Sequence, residues 1–259
     1  MTIKVDPDWW KKLFDDVYLL TDARSVCNEE ITQREVDVIC EIIPVEPEQK
    51  ILDLCGGHGR HSIELYSRGY KKCTVLDYSQ TLLHYAKEVV TRRNYFIHII
   101  QSDARKTGLL SGAFDCVIIM GNSMGYIQEP GADREILAEA YRVLNSGGRI
   151  LVDVTDGASV KKNINPNAWH EIGTDTVVCR QREVSGNKIH AREVVLSREK
   201  GLIRDQTYAI QLYESKTLGA MLEAAGFKQV YVHTEFSPHE CAGDYGCMNH
   251  RMIAAGQKL

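Results

Sequence analysis

Residues 51–54, Ile-Leu-Asp-Leu, form an apolar run without helical period. It enters the turn Cys55-Gly56-Gly57-His58-Gly59-Arg60-His61, and the next apolar run closes on a single acid, Asp77. An apolar run that feeds a glycine turn is the pattern of a buried parallel strand handing over to a helix. Gly56, Gly57 and Gly59 let the backbone approach a ligand and take angles that a side chain forbids. An acid about twenty residues further on sits where a nucleotide ribose offers its hydroxyls. The expectation is an α/β chain that binds an adenosine-containing cofactor.

The turn also discriminates between cofactors. The dinucleotide fingerprint needs a third glycine, and Ser62 stands in its place. Arg60 would tolerate a pyrophosphate, but Asp53, ahead of the turn, would repel one. A carboxylate there suits a cofactor that carries a positive amino group and a sulfonium.

The rest of the chain predicts one doubly wound unit. Helices are expected over residues 9–20 and 29–43, the second ended by Pro44 and Pro47. Strands at 50–54, 73–77, 95–100, 114–120 and 149–154 then alternate with helices at 58–67, 79–91 and 133–144, which argues for a parallel sheet covered on both faces. Asn145-Ser146-Gly147-Gly148 reads as a helix stop and turn. From Trp169 to Tyr213 the period changes to two, and Ser185-Gly186-Asn187 reads as a hairpin turn. A helix at 215–225, with Gly226 behind it, precedes two closing strands at 227–235 and 248–256. The expected division is an N-terminal helical cap (1–47), a cofactor-binding core (48–160), an antiparallel β insert acting as lid and substrate region (161–213), and the C-terminal part of the core sheet (214–259).

At these residues the chain resembles the class I S-adenosylmethionine-dependent methyltransferases. Asp53 to His61 is similar to their first motif, and Val75-Leu76-Asp77-Tyr78-Ser79 to the second, whose acid binds the ribose hydroxyls. Ser102-Asp103-Ala104 resembles the adenine-contacting motif. Phe114-Asp115-Cys116-Val117, Leu144 to Arg149 and Leu222 to Phe227 resemble later landmarks in the same order. The resemblance implies a Rossmann-like, mostly parallel seven-stranded sheet with an antiparallel C-terminal hairpin. It implies S-adenosyl-L-methionine as cofactor and S-adenosyl-L-homocysteine as product. Cofactor contacts are then expected from Asp53, Cys55, Gly56, Gly57, Gly59, Arg60, Asp77, Tyr78, Ser79, Asp103, Ala104, Met120, Gly121 and Asn122. The run Gly121 to Tyr126 followed by the insert looks like enzymes that methylate glycine-type amines and amino sugars, although Tyr126 stands where the amino-sugar enzymes have a histidine. Tyr18, Ser123, Tyr126 and Trp169 are the candidate acceptor contacts, and Tyr126 and His61 the candidate catalytic groups.

Bulk properties narrow the partners. A net charge of -4 gives no electrostatic footprint for nucleic acid. No run of basic residues suits a membrane surface, and no apolar stretch is long enough to span one. The eight cysteines include no Cys-x-x-Cys pair and read as reduced thiols, so a cytoplasmic monomer or homodimer is expected. His239, Cys241, Cys247 and His250 do not have the spacing of common zinc sites, so no metal is expected. The competing readings are a nicotinamide-dependent oxidoreductase, a noncatalytic S-adenosylmethionine-binding protein, and a methyltransferase of macromolecules.

Overall fold

The computed structural model describes residues 3–239 and 246–259. Three short helices, α1 (Trp10–Leu13), α2 (Asp16–Thr21) and α3 (Ala23–Val26), lead into α4 (Glu29–Ile42). Then follow β1 (Ile51–Leu54), α5 (Arg60–Ser67), β2 (Cys73–Asp77), α6 (Gln80–Arg92), β3 (His98–Gln101), β4 (Phe114–Ile119), α7 (Ala132–Val143) and β5 (Leu144–Thr155). Helix α8 (Gly157–Asn163) opens the insert of β6 (Asn167–Ile172), β7 (Thr176–Ser185), β8 (Lys188–Ser197) and β9 (Gly201–Gln211). Helix α9 (Ser215–Ala224), β10 (Lys228–Phe236) and β11 (Arg251–Gln257) complete the chain.

The main sheet has seven strands in the order β10-β11-β5-β4-β1-β2-β3. Strands β1 to β5 are parallel, while β11 runs antiparallel to both β5 and β10. Side chains alternate between two cores, as the period of two requires. Leu52, Leu54, Val117, Ile119, Ile150 and Val152 pack against Leu137 and Ala140 of α7 and Leu218 and Leu222 of α9. Ile51, Cys116, Ile118 and Leu151 face Val36 and Ile39 of α4, Leu65 of α5 and Leu83 of α6. Each such fully buried aliphatic side chain contributes about 1.5–3 kcal/mol. The chain winds outward from β1 to β3 and returns at β4, so a crevice opens beyond the C-terminal ends of β1 and β4, where such sheets hold ligands.

Two expectations need correction. The helix expected over 9–20 is broken into α1 and α2, because Asp15 is extended and its carboxylate accepts from Val17 N and Tyr18 N. That capping bond competes with helix continuation and starts a new helix instead. The expected turn at Asn145 to Gly148 lies inside β5 as an irregularity: Leu144 pairs with Phe114, and pairing resumes at Arg149 with Cys116. Helix α8, capped by Asp156, is too short to have shown a period in the sequence.

The insert is a separate four-stranded antiparallel sheet, β6-β7-β8-β9. It is tied to the core where Gln211 N donates to Gly125 O (2.8 Å) and Gly157 N to Tyr213 O (2.9 Å).

Candidate active site

A cavity of about 1010 Å³, counting its open mouth, occupies the crevice at the switch point. The turn after β1 forms its floor. Cys55 takes a left-handed φ of 60°, and Gly57 follows at 56°. Gly56 must lack a side chain, since a Cβ there would lie 2.7 Å from the Asp53 carboxyl carbon. The turn and the acid expected to serve one ligand are bonded to each other: Gly57 N donates to Asp77 Oδ2 (2.8 Å), and Ser79 N to Asp77 Oδ1 (2.8 Å). Burial raises the Asp77 carboxyl above its usual range against the pull of the Ser79, Gly57 and Tyr78 amides. A carboxylate has about four acceptor sites, so two backbone donors leave capacity for a pair of ribose hydroxyls. The donor set and the side-chain-free turn fit an adenosine cofactor.

Most of the expected cofactor residues line this cavity: Cys55, Gly56, Gly57, Arg60, Asp77, Tyr78, Ser79, Asp103, Ala104, Met120 and Gly121. Asp103 keeps a carboxylate charge because Arg105, through its backbone amide and guanidinium, overcomes burial and holds the carboxyl below its usual range. Three expected contacts are placed differently. Asp53 is fully buried beneath the turn, where Ser62 Oγ donates to its Oδ2 (3.0 Å), and it does not line the cavity. Burial dominates its titration and pushes it up to about 6. Gly59 is the left-handed residue that starts α5, pressed against Val75 and Ala86. Asn122 turns away, its Oδ1 accepting from Thr155 N (2.8 Å), and lines a neighbouring cavity.

That second cavity lies between the insert, the N-terminal helices and the segment after β4. It shares Phe14, Tyr18, Val26, Gly121 and Tyr126 with the first. Trp9, Phe14, Tyr126 and Tyr208 form an aromatic wall, with ring centroids 5.3 Å apart for Trp9 and Tyr126, 5.4 Å for Phe14 and Tyr126, and 5.7 Å for Trp9 and Tyr208. Gly125 fixes this wall. Its N–H donates to Asp133 Oδ1 (3.0 Å), its carbonyl accepts from Gln211, and a Cβ would meet Gln211 at 3.1 Å. The N-terminal segment roofs the first cavity, with Ser79 Oγ donating to Phe14 O (2.6 Å) and Trp10 packed edge-on against Tyr78.

The candidate catalytic and acceptor residues separate. Tyr126 and Tyr18 line both cavities, and burial pushes both phenols up, so each stays protonated at neutral pH. His61 lines the first cavity, but its Nε2 meets Glu35 Oε2 at 2.9 Å, and burial pushes its pKa down to about 4. That ring is neutral and committed to Glu35. Ser123 Oγ donates to Met120 O (2.6 Å) at the cavity edge. Trp169 is 70 % exposed on β6, the edge strand of the insert, and faces away from both cavities because its neighbours in the alternation turn inward. Cys247 lines the second cavity, and His250 immediately precedes β11. Cys241 lies outside the described residues. Among the described residues, no three His, Cys, Asp or Glu side chains stand together as metal ligands would.

Sequence reasoning missed the buried ionic chain behind the turn. Glu35 pairs with Arg60, His61 and Arg251, and Arg251 pairs in turn with Asp153. Asp153 Oδ2 then accepts from Gly121 N (2.8 Å), so the chain runs from the guanidinium at the first turn to the segment after β4. Burial opposes ionisation of Glu35, but Arg60, Arg251 and His61 hold its carboxyl well below the usual range. The signal was an acid on the apolar face of α4, beside Val36, and another interrupting the apolar run of β5.

Comparison with known proteins follows the same outline. Residues 51–148 match the family model of a methyltransferase domain. A glycine/sarcosine N-methyltransferase of Aphanothece halophytica is 35% identical over 106 residues, which cover 40% of each chain. The matched stretch thus spans less than half of that relative. Among solved structures, the CcbJ methyltransferase of Streptomyces caelestis superposes with a TM-score of 0.75 at 15% identity, covering 96% of this chain and 99% of that one. The sugar N-methyltransferase KedS8 of a Streptoalloteichus species gives a TM-score of 0.69 at 18% identity, covering 100% and 96%. These two likenesses establish a shared fold. Residues 51–148, which hold the glycine turn and the floor of the switch-point crevice, are thus similar to a methyltransferase domain, within a fold shared with solved methyltransferases.

Proposed function

We propose that this chain transfers the methyl group of S-adenosylmethionine to a nitrogen of a small-molecule acceptor held in the second cavity. The observation that carries the reading is the pair of adjoining cavities: one is floored by the glycine turn and Asp77, the other is walled by aromatics, and they meet at Gly121 and Tyr126. S-adenosylmethionine supplies an activated methyl on a sulfonium and leaves as the thioether S-adenosylhomocysteine. Asp77 would hold its ribose, and Arg60, at the start of α5, would face its carboxylate, for which a guanidinium fork is suited. The aromatic wall would exclude water and orient the acceptor, and alignment of reacting groups is worth on the order of 7–11 kcal/mol.

Nitrogen is favoured over oxygen because the Aphanothece and Streptoalloteichus proteins are N-methyltransferases by name. An amine that enters neutral needs no strong base, which agrees with a site whose phenols stay protonated and whose His61 is committed to Glu35. The test is calorimetry with S-adenosylmethionine and S-adenosylhomocysteine, followed by mass spectrometry of small amines incubated with the loaded protein. Binding in the micromolar range and a gain of one methyl on an amine are expected. Failure to bind either cofactor form, with binding of NADH instead, would overturn the reading.

A further inference from the structure

The guanidinium of Arg60 faces two ways. Arg60 opens α5, and its side chain, 10% exposed, lines the first cavity. Its Nη1 points back to α4, where it donates to Thr32 Oγ1 (3.0 Å) and to Glu35 Oε2. Thr32 and Glu35 lie three residues apart on that helix and so share a face. Among the described residues, the hydrogen bonds of Arg60 all run through Nη1. Its Nη2 lies 3.5 Å from the place a Cβ of Gly121 would take, and Gly121 lines the same cavity. The five donors of a guanidinium sit in one rigid plane, so the bonds at Nη1 also fix where Nη2 points.

Glu35 is itself held from several sides. It is fully buried, its Oε1 pairs with Arg251, and its Oε2 meets His61 Nε2 as well as Arg60. Burial disfavours its charge, but Arg60, Arg251 and His61 outweigh that and keep the carboxylate ionised. Arg251 donates through Nε to Asp153 Oδ1 (2.7 Å), and Asp153 accepts from the Gly121 amide. The chain that starts at Glu35 thus ends on both walls of one corner of the cavity. Arg60 stands on one wall, and Gly121 on the other.

Resting on the methyltransferase reading, we propose that Glu35, with Thr32 beside it, is a positioning residue for the cofactor. It anchors one nitrogen of Arg60 so that the other is presented, already oriented, to the carboxylate of S-adenosylmethionine. A side chain whose rotamer is fixed beforehand loses less freedom when it meets its partner. Helix α4 thereby contributes to cofactor affinity from behind the cavity wall, and only toward the amino-acid end of the ligand.

The test compares two ligands that share an adenosine thioether. S-adenosylhomocysteine carries the amino-acid end, and methylthioadenosine lacks it. Both are titrated by calorimetry into the full chain. The parent should prefer S-adenosylhomocysteine at least about tenfold, the worth of a hydrogen bond to a charged group. Glu35→Gln should reduce that preference at least about fivefold and leave methylthioadenosine affinity within about twofold of the parent. A merely structural role would weaken both ligands alike. Thr32→Val removes one acceptor of Nη1, leaves every buried charge in place, and should reduce the preference about threefold. It decides the matter if Glu35→Gln does not unfold cooperatively in urea. The proposal is overturned if the parent binds the two ligands equally, or if the deciding variant keeps the parent's preference or weakens both ligands alike. A parent protein that binds neither ligand would instead overturn the methyltransferase reading itself.

Discussion

The two sheets place their buried charge differently: the core threads an ionic chain of Glu35, Arg251 and Asp153 behind its crevice, whereas the insert lines a cavity with its own. In the parallel core, strands β1 and β4 bury nearly everything they carry, and the floor of the ligand crevice is made from backbone amides, glycines and Asp77. In the insert, β7 to β9 bury arginines and a glutamate on the face a lid would fill with aliphatics. Backbone donors recognise what is constant in a ligand, whereas long side chains on an antiparallel sheet can be exchanged without disturbing a core.

Substitutions can break or sharpen that contrast. The largest effect is expected for Arg251→Met, which leaves Glu35 and Asp153 facing each other without their shared cation. Removing one partner of a buried pair costs about 3–5 kcal/mol, to be read from urea unfolding. A loss under about 1 kcal/mol would mean that the core does not depend on its ionic chain. Asp77→Ala should weaken S-adenosylhomocysteine binding more than about tenfold in a protein that still unfolds cooperatively, since a hydrogen bond to a charged group is worth about 1.5–3 kcal/mol. Unchanged affinity by calorimetry would remove Asp77 from the site.

The pH dependence of unfolding comes next. Burial lowers the pKa of His58 and of His61 to about 4, from an ordinary 6.5. Between those values the unfolded chain binds the protons and the folded chain does not, so stability falls as pH drops through that window. Asp53, raised to about 6 from 3.8, acts in the opposite sense, since its folded form takes up the proton first and gains stability on acidification. His61→Asn removes one of the histidine contributions, so acidification from pH 7 to 5 should cost the variant less stability, read from urea midpoints, than it costs the parent. The smallest effect belongs to Trp169→Ser at the insert's outer edge, which should change stability by less than about 0.5 kcal/mol and leave acceptor KM unaltered. An altered KM would return Trp169 to the acceptor site.

The core was legible in the sequence because its strands are apolar throughout and their helices keep a clear period. Strand β2 was expected at 73–77 and runs Cys73–Asp77, and Ser79 caps α6 as expected. The glycine turn and Asp77 were legible for a related reason, since special backbone angles and a lone acid stand out against an apolar background. The second cavity was not. Arg180, Arg182 and Arg204 sit in a period-two pattern that does not say which of its two faces is covered, and tertiary packing turned theirs inward. Glu35 was hidden the same way, as an acid on a helix that otherwise reads as amphipathic. The broken N-terminal helix escaped because a single capping aspartate, Asp15, outweighed an apolar stripe that looked continuous.

Gly125 has a mechanical consequence. Its carbonyl is held by Gln211, beside the C-terminal end of β9, while its amide is held by Asp133 next to α7. A displacement of β9 therefore either breaks the bond to Gln211 or drags the neighbouring Tyr126 along with it. The insert and the wall between the two cavities are therefore mechanically linked through one glycine, and a shift of one strand is felt at the ring on the boundary.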